Sequence, residues 1–106
     1  MVNFDDFSKL DLKIGKVIEA SLHPDAEKLY VLKVDVGEKV ITLVSGIRPF
    51  YEQDSLLGKQ VVVLVNLEPK TLRGVVSEGM LLAARSKDDL GLLTCDKKVD
   101  AGSSIS

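Results

Sequence analysis

The run Val61-Val62-Val63-Leu64-Val65 constrains the fold more than any other part of the chain. Stiff β-branched side chains suit a pleated strand, and five apolar residues without alternation describe one covered on both faces. A second run, Met80-Leu81-Leu82-Ala83-Ala84, reads as equally buried, although its period alone does not separate strand from helix. Between the two runs, residues 66–79 contain Asn66, Pro69, Gly74 and Gly79, which disfavour regular structure and predict a long polar loop. That loop carries Asn66, Lys70, Thr71, Arg73 and Ser77, a set of cations, amide and hydroxyls suited to phosphate and sugar oxygens or base edges. Its acids, Glu68 and Glu78, balance its two cations, so charge density alone does not mark it.

Upstream of this stretch the pattern alternates. Tyr30, Leu32, Val34 and Val36 interleave with Val31, Lys33 and Asp35, so a strand over 29–36 turns its even residues to a core. Gly37-Glu38-Lys39 connects it as a hairpin to a third strand, 40–45. Residues 11–21 read as the first strand. Leu12 and Ile14 share a parity that Val17 and Glu19 break, which predicts a bulge or sharp coil near Gly15. Pro24 fixes its own φ and keeps His23 out of the helical region, making 22–28 a turn.

Phe50 to Leu57 predicts a brief helix ended by Gly58, followed by strands at 60–65 and about 79–86. Strand, strand, strand, helix, strand, strand is the order of an OB-fold. The expected class is all-β, a five-stranded OB-fold barrel with a short helix between strands three and four and a C-terminal extension. Ahead of the barrel, Phe4, Phe7 and Leu10 fall at helical spacing behind Asn3 or Asp5 as cap, predicting one helical turn that lids the barrel. Behind it, Leu90, Leu92, Leu93, Val99 and Ile105 make 87–106 too apolar for a disordered end, so short strands should pack back or across a dimer axis.

A chain of 106 residues fits a single domain, with a barrel core over about 11–86 and one hydrophobic core. Fourteen basic against sixteen acidic residues give a net charge of −2, which excludes a uniformly basic nucleic-acid binder; any RNA site must rest on local clustering. One cysteine, Cys95, and one histidine, His23, cannot build an internal disulfide or the usual structural zinc site, and point to a reducing compartment. Charges interrupt every apolar run of residues 1–20, so neither a secretory segment nor a membrane span is read, and the expected location is cytoplasmic. His23 has no acid–base partner at a recognisable spacing, the pairs Asp5-Asp6 and Asp88-Asp89 make poor dyads, and no Gly-rich phosphate loop, nucleophile elbow or cofactor motif occurs. No enzyme, catalytic residue, metal or cofactor is expected.

The segment NLEPKTLRGVVSEGM is similar to the Asn-Leu-Lys-Pro, Lys, Arg-Gly, Ser, Gly-Met signature of the EMAP II-like tRNA-binding domain family. The resemblance continues in LDLKIGKVIEASLHPDAEKLYVLKVDVGE and LVSGI and so covers roughly residues 7 to 86. That family includes free-standing tRNA-binding proteins, the C-terminal appendix of many methionyl-tRNA synthetases and a module of eukaryotic synthetase complexes. The resemblance implies an OB-fold that binds tRNA without doing chemistry, commonly as a homodimer, in company with an aminoacyl-tRNA synthetase. Ser77 and Met80 match the family's Ser and Met, which implies a binding surface there. Glu68 stands where many members carry Lys and removes one cation.

OB barrels bind oligonucleotides on strands two and three, bordered by the loop between strands one and two and the loop between strands four and five. Here those loops are 22–28 and 66–79, and their convergence would set Lys28 and Lys33 near Asn66, Lys70, Arg73 and Ser77, with Arg48 extending the patch. Each has a plainer alternative. The lysines read singly are solvated surface residues; Arg73 clamps the loop through Glu78; Asn66 bridges loop backbone; Met80 packs in the core. The expected function is a tRNA-binding module that reads RNA shape and backbone and assists aminoacylation. Its rivals are a dimeric peptide-binding module like the family's secretion-chaperone branch, which the acidic total and Glu68 leave open, and a domain that only dimerises.

Overall fold

The computed structural model describes all 106 residues. One helical turn, α1 (Phe4–Ser8), precedes nine strands: β1 (Leu12–Leu22), β2 (Tyr30–Asp35), β3 (Val40–Ser45), β4 (Gln60–Leu64), β5 (Lys70–Leu72), β6 (Val75–Ser77), β7 (Met80–Leu81), β8 (Ala83–Arg85) and β9 (Leu90–Leu92). The main sheet runs β3-β2-β1-β4-β7, with every pairing antiparallel, and wraps into the expected five-stranded OB-fold barrel.

β1 makes the barrel possible because it serves two partners. Leu12 to Lys16 pair with β4, and Lys16 to Leu22 pair with β2. The register slips between Val17 and Glu19, so the extra residue is Ile18 and the bulge lies three positions beyond the expected one. Gly15 has a different duty. A Cβ there would collide with a methyl of Val34, so the glycine lets β2 pack tightly across β1.

The alternation on β2 holds: Tyr30, Leu32, Val34 and Val36 are buried, while Val31, Lys33 and Asp35 are half-buried. They join Val17, Ile41, Leu43, Ile47, Val61 and Val63 in one apolar cluster. The residues expected to form a helix at 50–57 contract to a single 3-10 turn, Asp54–Leu56. Its sequence has polar helix formers but no apolar stripe to lay on the barrel, so the segment is anchored at one point. Leu56 is that anchor; fully burying a leucine contributes about 1.5–3 kcal/mol.

The barrel closes between β3 and residues 77–79 through side chains as much as backbone. The hydroxyl of Ser77 accepts from the Val44 amide at 3.0 Å and donates to the Gly79 carbonyl at 3.0 Å. Glu78 donates its amide to the Thr42 carbonyl at 2.8 Å and accepts the Thr42 amide on its carboxylate at 2.8 Å. Gly79 fits because a Cβ would meet the Leu64 carbonyl oxygen at 2.7 Å.

The C-terminal residues pack back, as expected. β8 and β9 form a hairpin, and the tail then lies along the first half of β1, where Gly102 donates to the Ile14 carbonyl at 2.7 Å and Ile14 donates to the Ser103 carbonyl at 2.9 Å. The tail crosses the β2–β3 turn at Gly37 and Gly102, both at positive φ, with their Cα atoms too close for a side chain on either. Two further expectations fail. The run 80–84 is not buried on both faces: Leu81 and Leu82 are half-covered and the other three are exposed, since it breaks into β7 and β8 at the barrel rim. The N-terminal turn forms behind its Asn3 cap but is no lid, for Phe4 is 77% exposed and Phe7 and Leu10 also face solvent.

Candidate nucleic-acid interface

Residues 66–79 fold further than their composition suggests. Lys70 pairs with Ser77, Thr71 with Val76 and Leu72 with Val75, giving a β5–β6 hairpin instead of an irregular loop. Its two-residue turn is Arg73-Gly74, both at positive φ (52° and 89°), the pattern of a type I′ turn. Glycine holds this conformation freely. Arginine does not, so Arg73 sits at the tip of an exposed hairpin in a conformation that side chains disfavour.

The hairpin tip and the 22–29 loop meet. Nε2 of His23 lies 3.0 Å from the Leu72 carbonyl oxygen, and Nδ1 of the same ring lies 3.0 Å from the Asp25 amide nitrogen. Both contacts are satisfied when Nε2 carries the proton, donating to Leu72 while Nδ1 accepts from Asp25. The ring is 3% exposed, so it is a buried pin between the segments. Two guanidinium groups brace the same loop: Arg73 Nη2 donates to the Asp25 carbonyl at 3.4 Å, and Arg48 Nη1 to the Ala26 carbonyl at 3.3 Å. The Arg48 guanidinium also lies over the Tyr30 ring, 6.0 Å from its centroid.

Lys28 projects from the braced loop and Lys70 from the base of the hairpin, both exposed. Lys33 lies half-buried on the neighbouring sheet face, opposite Glu19, with Nζ donating to the Thr42 hydroxyl at 2.7 Å. None of Lys28, Lys33, Arg48, Lys70 and Arg73 forms an ion pair, since the two present are Lys9–Asp6 and Lys13–Glu38. Lys28 and Lys70 are thus exposed and unpaired, while Lys33, Arg48 and Arg73 also donate to neighbouring oxygens, on a molecule of net charge −2. Glu78 does not clamp Arg73, because its carboxylate holds the Thr42 amide.

The remaining candidates divide. The Asn66 amide is taken up by backbone, accepting from Asp11 at 2.9 Å and donating to Lys9 at 2.7 Å, so it stitches the N-terminal segment to the strand β4 exit. Ser77 is buried in the barrel seam. Met80 is 44% exposed and lines a small cavity of about 190 Å³ with Val44, Leu67, Glu68, Lys70 and Leu72. His23, read from the sequence as part of the turn set by Pro24, does shape that loop, and it also pins the loop to the hairpin.

A nearly closed β-barrel of the OB type, with a loop and a hairpin joined beside strands β2 and β3, defines an OB-fold module. The family model described as "Putative tRNA binding domain" matches residues 12–104. The chain is 54% identical over 104 residues to a methionine–tRNA ligase of Pyrococcus abyssi and 46% identical over 105 residues to that of Thermotoga maritima, covering 98% and 99% of itself. It spans only 14% and 17% of those relatives' length. The fold of a MetRS related protein from Pyrococcus horikoshii matches over 100% of this chain and 98% of that one, with a TM-score of 0.93 and 34% identity. That of the chaperone CsaA from Bacillus anthracis matches over 100% and 99%, with a TM-score of 0.92 and 34% identity. The chain belongs to the tRNA-binding domain family.

Proposed function

We propose that this domain binds tRNA through the joined surface of the 22–29 loop and the β5–β6 hairpin, reading RNA shape and backbone with few base-specific contacts. The observation that carries this reading is the convergence of the two segments on His23, with Arg73 and Arg48 bracing the loop that presents Lys28. Exposed Lys28 and Lys70, with Arg73 and Arg48 on the braced loop, provide local charge that the net balance conceals. Similarity to methionine–tRNA ligases supports a role in aminoacylation, in which the domain raises the local concentration of tRNA in the cytoplasm as a synthetase C-terminal domain or a free-standing relative.

The exposed Val2, Phe4, Phe7 and Leu10 support a homodimer paired through the N-terminal segment. Two sites in one assembly would gain affinity for an RNA that spans them. A second reading, a peptide-binding module, is favoured by the similarity to CsaA and by the cavity beside Leu67, Leu72 and Met80. Titration with tRNA and with an unfolded polypeptide across a salt series separates the two. The RNA reading expects log affinity for tRNA to fall linearly with log salt, and Lys70→Ala to reduce that slope by about 0.7–0.9. Absence of tRNA binding at low salt, with polypeptide binding retained, overturns it in favour of the second.

A further inference from the structure

The largest cavity lies away from the hairpin, where the tail passes the start of β4. Its volume is about 470 Å³, and its lining includes Lys16, Gly58, Gln60, Asp96, Lys97 and Lys98. Lys16 comes from β1, while Lys97 and Lys98 come from the tail more than 80 positions later. The β4 residue Gln60 fixes the tail beside the sheet. Its side-chain amide donates to the Val99 carbonyl and accepts from the Val99 amide, and its own carbonyl accepts from the Thr94 hydroxyl at 2.7 Å.

Lys97 and Lys98 are thus carried on a segment bolted at both ends, not on a free terminus. All three lysines are exposed, none has a carboxylate within ion-pair distance, and Asp96 is the sole acid in the lining. Gly58, at φ +81°, has open space where a side chain would be. Three like charges held around one concavity favour an anion that neutralises them. An open, polar cleft lined by flexible ammonium groups fits the phosphates of a polynucleotide backbone, which need charge more than fixed fork geometry.

We propose that this lysine cleft is a second contact for the phosphate backbone of the same tRNA, built by the C-terminal tail. The proposal rests on the RNA-binding reading above. Lys16 lies in β1 and His23 directly follows its last residue, seven positions on, at most about 23 Å at roughly 3.3 Å per residue, so one folded RNA can reach both.

The test measures tRNA affinity of the full chain across a salt series for wild type, K97A/K98A, K16A and a control, K39A/K87A, whose two exposed lysines lie outside the cleft. K97A/K98A should bind about fivefold or more weakly at low salt, with the slope of log affinity against log salt reduced by about 1.4–1.8. K16A should weaken binding in the same direction, and the control should stay within twofold of wild type. Cys95, which also lines the cleft, gives a local readout: saturating tRNA should slow its alkylation severalfold in wild type. K97A/K98A matching the control, or an unchanged Cys95 rate in tRNA-saturated protein, overturns the cleft alone. Wild type that fails to bind tRNA overturns the parent reading and the cleft with it.

Discussion

The ring of His23 and the carbonyl of Leu72, 49 residues apart in the chain, are 3.0 Å apart in space. This contact fixes the 22–29 loop against the β5–β6 hairpin. His23→Ala removes the ring and leaves both of its partners, the Asp25 amide and the Leu72 carbonyl, without it. Both partners are only part-buried and can turn to water, so each lost hydrogen bond costs about 0.5–1.5 kcal/mol. A melting point lower by about 4–8 °C per kcal/mol is expected in thermal unfolding. The tRNA affinity of the still-folded protein should also fall, because Lys28 and Arg73 lose their common frame. Unchanged affinity would detach the loop from the site.

Arg73→Asn separates stability from binding. Asparagine tolerates the left-handed conformation better than arginine, and Asn-Gly is a favoured type I′ pair. The variant should be about 0.5–1 kcal/mol more stable in urea unfolding, within the range of backbone substitutions that relieve conformational cost. Its tRNA affinity should drop severalfold, with the salt slope reduced by about 0.7–0.9 for the lost phosphate contact. A variant that gains stability and keeps full affinity would reduce Arg73 to a turn residue.

Ser77→Ala tests the barrel seam. The Val44 amide would lose its acceptor in a buried site, at a cost of about 1–3 kcal/mol. Urea unfolding should show a lower midpoint at unchanged slope, since the surface exposed on unfolding is the same. Under folding conditions tRNA affinity should stay within twofold of wild type.

The exposed apolar N-terminal turn gives a fourth prediction. If Phe4 and Phe7 pair two copies, F4E/F7E should sediment as a monomer at concentrations where wild type is dimeric. The fold should be retained, because neither side chain enters the core. A wild-type chain that is monomeric at every concentration tested removes the dimer from the functional reading.

Much of the architecture was legible because it is written in local pattern. Tyr30, Leu32 and Val34 alternate at the period of a half-buried strand, and Val61 to Leu64 form a run that only a strand covered on both faces explains. What stayed hidden was decided by tertiary partners. The bulge falls at Ile18 because Gly15 is spent on the close approach of Val34, and nothing local distinguishes the two positions. The β5–β6 hairpin escaped notice because Arg-Gly is not among the usual type I′ pairs. Lys28, Arg48, Lys70 and Arg73 could be picked out by type and by family resemblance. That Ser77 closes the barrel and Asn66 ties down the N-terminal segment depends on contacts 33 to 57 residues away.

The tail along β1 also sets an order of events during synthesis. Ile14 comes early within the domain, yet its amide and carbonyl are matched by Ser103 and Gly102, near the opposite extreme of the same domain. Until those residues leave the ribosome, the nascent polypeptide carries an open strand margin at Leu12 to Ile14, a template on which another chain can pair. The final turn of the domain therefore acts as the latch that ends this exposure.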